Sequence, residues 1–213
     1  MRIVYLLYTL TYFLSDIPLK LYDILHGTQF SRSGRAKDMG GRYAYFPSPV
    51  LFFPLLGGYI RRHMRGGRGR AVLDIGCGKG LMLLFFGRFG FDRVSGIEYD
   101  EKLCDLARRN LKTALHGRKR RHHGAPPVRV YHADATAFSL YGNYDTFYLY
   151  NPFDAGILDE CTDRILSTLE RRPRPITVIY CNPVHADVLL RKGFKEEAGF
   201  YYKTKVYVYR GRM

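Results

Sequence analysis

The sequence predicts an α/β fold in which helices cover both faces of a mostly parallel sheet. From residue 71 onward, short apolar runs alternate with stretches of helical periodicity. The apolar runs are nearly continuous, which is typical of strands that are buried on both faces, and helix-length segments join them. The chain has 213 residues, enough for one large domain or for one domain with an appendage. We therefore expect a three-layer sandwich.

The apolar runs predict seven strands. Five of them are predicted at 71–75, 93–98, 128–132, 144–150 and 176–181, and two more follow Gly193, the last at 206–209. Helices are predicted between them at 81–89, 100–115, 155–169 and 184–191, because apolar side chains recur there every three or four residues. The helix at 100–115 begins at Asp100, a residue type that caps helices.

Residues 1–66 differ from the rest, because they are rich in aromatic residues and have a turn-rich middle. Ser15 and Asp16, followed by Pro18, predict that one helix ends there and another begins, so that a pair of helices packs on the main domain. The apolar run before Ser15 has no signal-peptide cleavage site after it and is shorter than the roughly 18 residues of a membrane span. A helix lying in a membrane interface is the alternative, although such a helix needs more basic residues. We predict a helical extension at 1–66 and a second domain at 67–213.

The chain is strongly basic. It contains 34 lysine and arginine residues against 19 aspartate and glutamate residues, a formal charge of +15. This balance favours a polyanionic partner such as RNA, DNA or an anionic membrane. The alternative is that the arginine excess reflects a GC-rich genome. The segment 118–123 (RKRRHH) is either a phosphate-contacting loop or a solvated one.

The cysteines predict neither a metal site nor a disulfide framework. The four of them are spread along the chain without a C-x-x-C pair, at Cys77, Cys104, Cys161 and Cys181. Reduced thiols in a cytoplasmic protein are the simplest interpretation.

A glycine-rich turn follows the first predicted strand, in the sequence DIGCGKG at 74–80. Glycines at alternate positions let the backbone turn sharply and approach a ligand closely, and the helix N-terminus that follows favours negative charge. Leu81 stands where the dinucleotide fingerprint G-x-G-x-x-G has its third glycine, so this is a different motif.

Acidic residues stand at the ends of three successive predicted strands. Asp74 closes the first strand, Glu98 the second, and Asp134 follows the third. A carboxylate in the position of Glu98 accepts both hydroxyls of a ribose, and one in the position of Asp134 can accept an adenine amino group. Each acid alone would be explained as a helix cap or a solvated turn. Their recurrence on one edge of the sheet predicts an adenosine-type ligand.

These motifs together resemble those of class I S-adenosylmethionine-dependent methyltransferases. The residues that carry the resemblance are 72–80 (VLDIGCGKG), 96–98 (GIE), 134–135 (DA) and 151–153 (NPF). The resemblance covers residues 70–213 and is greatest to small bacterial enzymes whose substrates are mostly unassigned. It implies a seven-stranded sheet of order 3-2-1-4-5-7-6 with the last strand antiparallel.

The resemblance also assigns roles to residues. Asp74 and the glycine loop would hold the methionine part of S-adenosyl-L-methionine, Glu98 the ribose and Asp134 the adenine. The full set of cofactor-binding residues so implied is Asp74, Gly76, Cys77, Gly78, Gly80, Glu98, Tyr99, Asp134, Ala135 and Asn151.

Asn151, Pro152 and Phe153 close the fourth predicted strand and are the candidate catalytic residues. They are similar to the N-P-P-[YF] motif of amino-group methyltransferases, in which the asparagine oxygen and a backbone carbonyl accept from the target amine and the aromatic ring stacks on a planar substrate. One proline is missing here, so Phe153 stands one position earlier. The alternative is a turn that ends the strand and leads into a helix capped by Asp154.

The implied reaction is direct methyl transfer to a nitrogen, with no metal. The substrate would be RNA or another anionic molecule that binds through an arginine-rich surface, and a neutral small molecule or a protein amide is the alternative. The extension at 1–66 would supply a lid, with Tyr43, Tyr45 and Phe46 lining the substrate site. A non-catalytic nucleotide- or RNA-binding module is the main alternative. An aminopropyl transferase would need an acidic polyamine pocket, for which the sequence has no matching cluster, and Leu81 disfavours a nicotinamide-dependent oxidoreductase.

Overall fold

The structure is a computed structural model. It describes residues 2–31, 42–43, 45–64, 70–116, 128–200 and 204–211, with the backbone alone for residues 2–13 and 116. The basic segment 118–123, predicted as a phosphate-contacting or solvated loop, lies outside the described residues.

One seven-stranded sheet forms the centre of the molecule. Its strands are β1 Ala71–Ile75, β2 Arg93–Glu98, β3 Val128–His132, β4 Thr146–Tyr150, β5 Ile176–Cys181, β6 Lys195–Phe200 and β7 Thr204–Tyr209. Their spatial order is β3-β2-β1-β4-β5-β7-β6. Strands β1 to β5 pair in parallel, whereas β7 is antiparallel to both β5 and β6. The predicted strand order and the antiparallel last strand are therefore confirmed.

Helices lie on both faces of this sheet. They are α1 Arg2–His26, α2 Phe53–His63, α3 Leu81–Phe86, α4 Glu101–His116, α5 Ala155–Ser167 and α6 Ala186–Arg191. None of the helices within the described ranges has the length and the apolar content needed to cross a bilayer.

The side chains of β1 divide between two apolar cores. Val72 contributes to the core that also contains α2, α3 and part of α1, whereas Leu73 and Ile75 contribute to the core under α5 and α6. Successive residues of a strand point to opposite faces, so every other apolar residue enters the same layer. Both faces are buried, which explains why β1 is apolar apart from Asp74, and the predicted three-layer sandwich is confirmed.

The predicted break at Pro18 is wrong, because α1 runs without interruption from Arg2 to His26 with Pro18 inside it. Lys20 and Asp16 form an ion pair of 2.5 Å across the proline, so Asp16 belongs to the helix rather than to a linker. Leu19, next to the proline, is only 4% exposed and packs into the first core. Tertiary packing thus holds together a helix that its local sequence predicts to end. The second helix of the extension is α2.

Three other helices are shorter than predicted. α5 ends at Ser167 rather than at residue 169. α3 ends at Phe86 rather than at residue 89, and the amide of the following Gly87 donates to the carbonyls of Leu83 and Phe85. Gly90 then adopts a φ of +72°, which lies outside the helical region. α6 begins at Ala186 rather than at residue 184.

The segment that leaves α1 is fixed by Asp23. Its carboxylate accepts hydrogen bonds from the Thr28 hydroxyl (2.6 Å) and from the amides of Phe30 (2.8 Å) and Ser31 (2.7 Å). Burial raises the pKa of Asp23, but these hydrogen bonds outweigh it and hold the pKa below its ordinary value. The segment is therefore a fixed support for the residues that follow it.

Candidate active site

The carboxyl ends of four neighbouring strands open into one cavity of about 740 Å³. Asp74 in β1, Glu98 in β2, His132 in β3 and Tyr150 in β4 all line it. In open α/β sheets, ligands bind beyond the carboxyl ends of the strands where the strand order reverses. Here that point lies at β1, whose neighbours are β2 and β4.

The glycine loop after β1 forms the floor of the cavity. Gly76 and Gly78 adopt φ values of +76° and +51°, a region that side chains disfavour. The amides of Gly76 and Cys77 both donate to the carbonyl of Ile97 at 2.9 Å, so the loop is pinned to β2. A methyl group at Gly78 would overlap the ring of Tyr45. The ring of Tyr45 can therefore lie on this loop only because Gly78 has no side chain.

Glu98 connects β2 to this loop. Its carboxylate accepts from the amide of Gly78 at 2.8 Å and from the amide of Asp100 at 3.0 Å. Burial raises the pKa of Glu98, and these backbone hydrogen bonds oppose the rise without cancelling it. The two carboxylate oxygens have more lone pairs than their backbone donors use, and recognition of a diol requires such remaining acceptor capacity.

Asp74 is the most buried acid of the cavity, at 3% exposure. Burial, and then the nearby charge of Glu98, raise its pKa well above the ordinary value. A buried carboxyl group with a raised pKa is stable either when it is protonated or when a cationic ligand group lies beside it.

Asp134 lies at the edge of the cavity and is bound on both oxygens. Its Oδ1 accepts from the amide and the hydroxyl of Thr136, each at 2.9 Å, and its Oδ2 accepts from Nη2 of Arg42 at 2.5 Å. Burial raises the pKa of Asp134, but the bonds from Thr136 and Arg42 prevail and lower it. The guanidinium of Arg42 also stacks on the ring of Tyr99, 4.3 Å from its centroid.

Arg42 belongs to a segment that crosses the cavity, residues 42–43 and 45–48, which we name the strap. The Tyr43 amide donates to the Pro152 carbonyl at 2.9 Å, and Arg42 forms an isolated antiparallel bridge with Phe153. At the other end, the Ser48 hydroxyl lies 2.8 Å from that of Tyr148 in β4. The strap is thus bonded to the turn after β4 and to the sheet.

The ring of Tyr45 lies over the glycine loop. Its hydroxyl donates to the carbonyl of Phe30 at 2.9 Å, and Nζ of Lys79 stands 5.0 Å from its ring centroid. Asn110 of α4 ties the same regions together, because its Nδ2 donates to the Lys79 carbonyl (3.2 Å) and its Oδ1 accepts from the Gln29 amide (3.0 Å). The N-terminal region is therefore part of the cavity wall.

The three candidate catalytic residues have different environments. Asn151 adopts a φ of +38°, and its Oδ1 accepts from the Tyr180 hydroxyl at 3.1 Å. Pro152 lines the cavity, and Phe153, at 4% exposure, lines it while packing into the second core. Its ring is thus held by the protein and has little exposed surface on which to stack a substrate.

The cavity gathers most of the residues that the sequence predicts for the site. Its wall contains Asp74, Gly76, Cys77, Gly78, Glu98, Tyr99, Ala135, Pro152 and Phe153 of that set, and the strap residues Tyr43, Tyr45 and Phe46. The residues of the set outside the wall are Gly80, the N-cap of α3 with a φ of +84°, Asp134 and Asn151. These positions do not test the individual roles, which stay predictions.

Sequence reasoning missed Arg42, Ser48 and Tyr148. Tyr148 stands within an apolar strand and is 1% exposed, a pattern typical of a core residue. Arg42 and Asp134 are 92 residues apart, and no local motif links them.

The cysteines are buried and unpaired in the structure, as their spacing predicts. Burial, followed by the charges of Asp74 and Glu98, raises the pKa of Cys77 well above its ordinary value, so its thiol is neutral. Among the described residues, no group of three or more histidine, cysteine, aspartate or glutamate side chains could hold a metal ion.

Comparison with known proteins gives a family match. Residues 72–175 match the family described as "Methyltransferase domain". Ribosomal protein L11 methyltransferase of Dictyoglomus turgidum is 30% identical over 66 residues, which are 31% of this chain. The match spans 20% of the length of that curated relative.

Solved structures share the fold. Human methyltransferase 10 domain containing protein superposes with a TM-score of 0.53 at 13% identity, covering 95% of this chain and 97% of that one. A putative rRNA-methylase from Clostridium thermocellum gives a TM-score of 0.51 at 16% identity, covering 77% of this chain and 96% of that one. At these identities the likeness concerns the fold alone.

Proposed function

Because residues 72–175 form a methyltransferase domain of the class I S-adenosylmethionine-dependent family, whose cofactor is S-adenosylmethionine, we propose that the protein methylates a nitrogen atom of RNA. The observation that carries the proposal is the convergence of the glycine loop, Asp74 and Glu98 on one cavity at the carboxyl edge of the sheet.

The residues of the cavity fit this cofactor. Gly78 has no Cβ, so its backbone can approach the methionine part closely in place of the ring of Tyr45. The carboxyl group of Asp74 suits an ammonium. Burial and the charge of Glu98 both destabilise its ionised form, and a positive group beside it would offset this cost. Glu98, fixed by two backbone donors, has acceptor capacity left for the ribose hydroxyls.

We assign the acceptor side of the cavity to the turn after β4, of which Pro152 and Phe153 line the wall. When bound, the cofactor supplies an electrophilic methyl group on a sulfonium. The oxygens of Asn151 and Pro152 already accept from Tyr180 and Tyr43, but each carbonyl oxygen has a second lone pair with which to accept from a substrate amine. These oxygens would orient the nitrogen, and orientation of this kind supplies about 7–11 kcal/mol of the barrier reduction.

An RNA substrate accounts for the charge of the protein. The formal charge is +15, and exposed cations lie on α4 and β3, at Arg109, Lys112 and Arg129. At the mouth, the rings of Tyr43 and Phe46 are 48% and 53% exposed, and exposed aromatic faces stack on bases.

A ribosomal protein is the second candidate substrate. It is favoured by the similarity to ribosomal protein L11 methyltransferase, which spans 31% of this chain. The net charge opposes a lysine-rich protein partner, since like charges repel on approach.

One labelling experiment separates these substrates. The protein is incubated with methyl-labelled S-adenosylmethionine and a lysate of its source organism, and the products are digested with RNase or protease. We expect label that RNase releases from macromolecules, whereas label released by protease alone would favour the ribosomal protein. Binding of the cofactor without any labelled product would favour the non-catalytic module. Glu98→Ala serves as the inactive control.

A further inference from the structure

We infer that the strap is a latch: cofactor binding must displace Arg42 and Tyr45, and this release also opens the methyl-acceptor side of the cavity. The inference rests on the proposed function. Two contacts of the strap support it, one at each end of the cofactor region, and a third transmits the release to the turn after β4.

The first contact is that of Arg42 with Asp134 and Tyr99. The two side chains of the ion pair are 20% and 31% exposed, so solvent screens the pair only in part. Asp134 has three donors on its two oxygens, and the guanidinium of Arg42 covers one face of the Tyr99 ring. An adenine ring bound here would need the same carboxylate oxygen for its amino group and the same aromatic face for stacking. Arg42 and the base therefore compete.

The second contact is that of Tyr45 with the glycine loop. The ring lies so close to Gly78 that not even a methyl group fits between them. The ring is held at its far end by the bond from its hydroxyl to Phe30, whose segment Asp23 fixes. A ligand that contacts the backbone of Gly78 on this side must first move the ring.

The third contact couples the cofactor side to the acceptor side. Arg42 and Tyr43 are consecutive, and the Tyr43 amide donates to the Pro152 carbonyl. Displacement of Arg42 from Asp134 loosens this bond, and both lone pairs of the Pro152 carbonyl then become available to the substrate amine. Loading of the cofactor thus precedes and promotes binding of the methyl acceptor.

Energetically, the latch lowers the apparent affinity for the cofactor. The measured Kd equals the intrinsic Kd divided by the fraction of molecules whose strap is open. Weakening the latch raises that fraction. An ion pair of this exposure supports a change of about three- to tenfold.

Calorimetric titration with S-adenosylhomocysteine tests the latch on the full chain. We expect Arg42→Ala to bind about three- to tenfold more tightly than the wild type. Tyr45→Phe, which keeps the ring but loses the bond to Phe30, should also bind more tightly. Arg191→Ala, which removes an arginine from an exposed ion pair with Asp187 on α6, is the matched control and should leave the Kd unchanged. Unfolding midpoints verify that each variant is folded.

Hydrogen exchange gives an independent readout. Saturating S-adenosylhomocysteine should accelerate exchange of the Tyr43 amide in the wild type, because the bond to Pro152 opens. Weaker or unchanged binding by Arg42→Ala, or slower exchange at Tyr43, would overturn the latch while the proposed function stands. If the wild type itself does not bind the compound, the proposed function fails and the latch fails with it.

Discussion

Gly76 of the glycine loop lies directly against Pro152 of the turn after β4: a Cβ added at Gly76 would stand 2.7 Å from the Cβ of Pro152. Because β1 and β4 are neighbours in the sheet, the loop proposed to hold the cofactor and the turn proposed to hold the methyl acceptor share one wall. A change at either residue must therefore affect both functions.

The first prediction concerns this contact. Gly76→Ala should abolish binding of S-adenosylhomocysteine and lower the free energy of unfolding by more than 2 kcal/mol, because an alanine at positive φ costs about 1–2 kcal/mol before any overlap with Pro152. Gly90→Ala is the matched control: its φ is +72°, but a Cβ there meets no atom of the described residues within 4 Å. It should lose about 1–2 kcal/mol and keep full binding. Equal effects of the two substitutions in denaturant titrations would show that the contact is unimportant.

The second prediction concerns Glu98. Glu98→Gln places an amide NH₂ group against one of the two backbone donors, Gly78 or Asp100, so the loop loses a hydrogen bond. We expect about 1–3 kcal/mol lower stability and at least tenfold weaker cofactor binding. Glu170→Gln, an exposed change in the turn after α5, should alter neither quantity. Unchanged calorimetric affinity in Glu98→Gln would contradict the role assigned to the carboxylate.

The third prediction concerns pH. The pKa values of Asp74 and Glu98 are raised, so the folded protein binds more protons than the unfolded chain between the ordinary and the raised pKa values. These groups therefore reduce stability as pH rises through that window. An ammonium beside Asp74 favours the ionised carboxylate, so cofactor binding should release protons and tighten with rising pH. Titrations in buffers of different ionisation enthalpy measure this release, and Asp74→Asn should remove most of it. A pH-independent Kd with no proton release would be inconsistent with this mechanism.

The fourth prediction concerns RNA. Reversing the charges of the exposed residues Arg109 and Lys112 on α4 should weaken binding of single-stranded RNA. The plot of log K against log salt concentration should become less steep by about 1.4, which corresponds to two lost phosphate contacts. The control is the double reversal of Lys195, on the opposite edge strand β6, and Arg171, in the turn after α5. The same loss of slope in both double variants would show that the α4 surface has no special role.

The sequence predicts those parts of the molecule whose signals are local. The glycine loop, the acids that close β1 and β2, and the alternation of strands and helices can be read within short windows, and the structure brings Asp74, Gly78 and Glu98 to one cavity. The contacts of the strap could not be predicted in this way, although Tyr43, Tyr45 and Phe46 belong to the predicted lining. Its ion pair joins Arg42 to Asp134, which are 92 residues apart in the sequence. The bond from the Tyr43 amide to the Pro152 carbonyl joins two backbone groups, so it leaves no pattern in the side chains.

At Pro18 the sequence predicts a feature that the structure does not have. The local sequence there predicts a helix end, yet α1 continues, because the packing of Leu19 is a tertiary contact that the local pattern does not contain. Asn151 lies between these cases: its place at the end of β4 follows from the sequence, but its bond to Tyr180 depends on the pairing of β4 with β5.

The most direct measurement is the titration of the wild-type protein with S-adenosylmethionine and with S-adenosylhomocysteine, next to Glu98→Gln and Gly76→Ala. We predict one site per chain for both compounds in the wild type and at least tenfold weaker binding in the two variants. Absence of binding by the folded wild-type protein, or equal affinity in all three proteins, would contradict the assignment of this cavity to the cofactor.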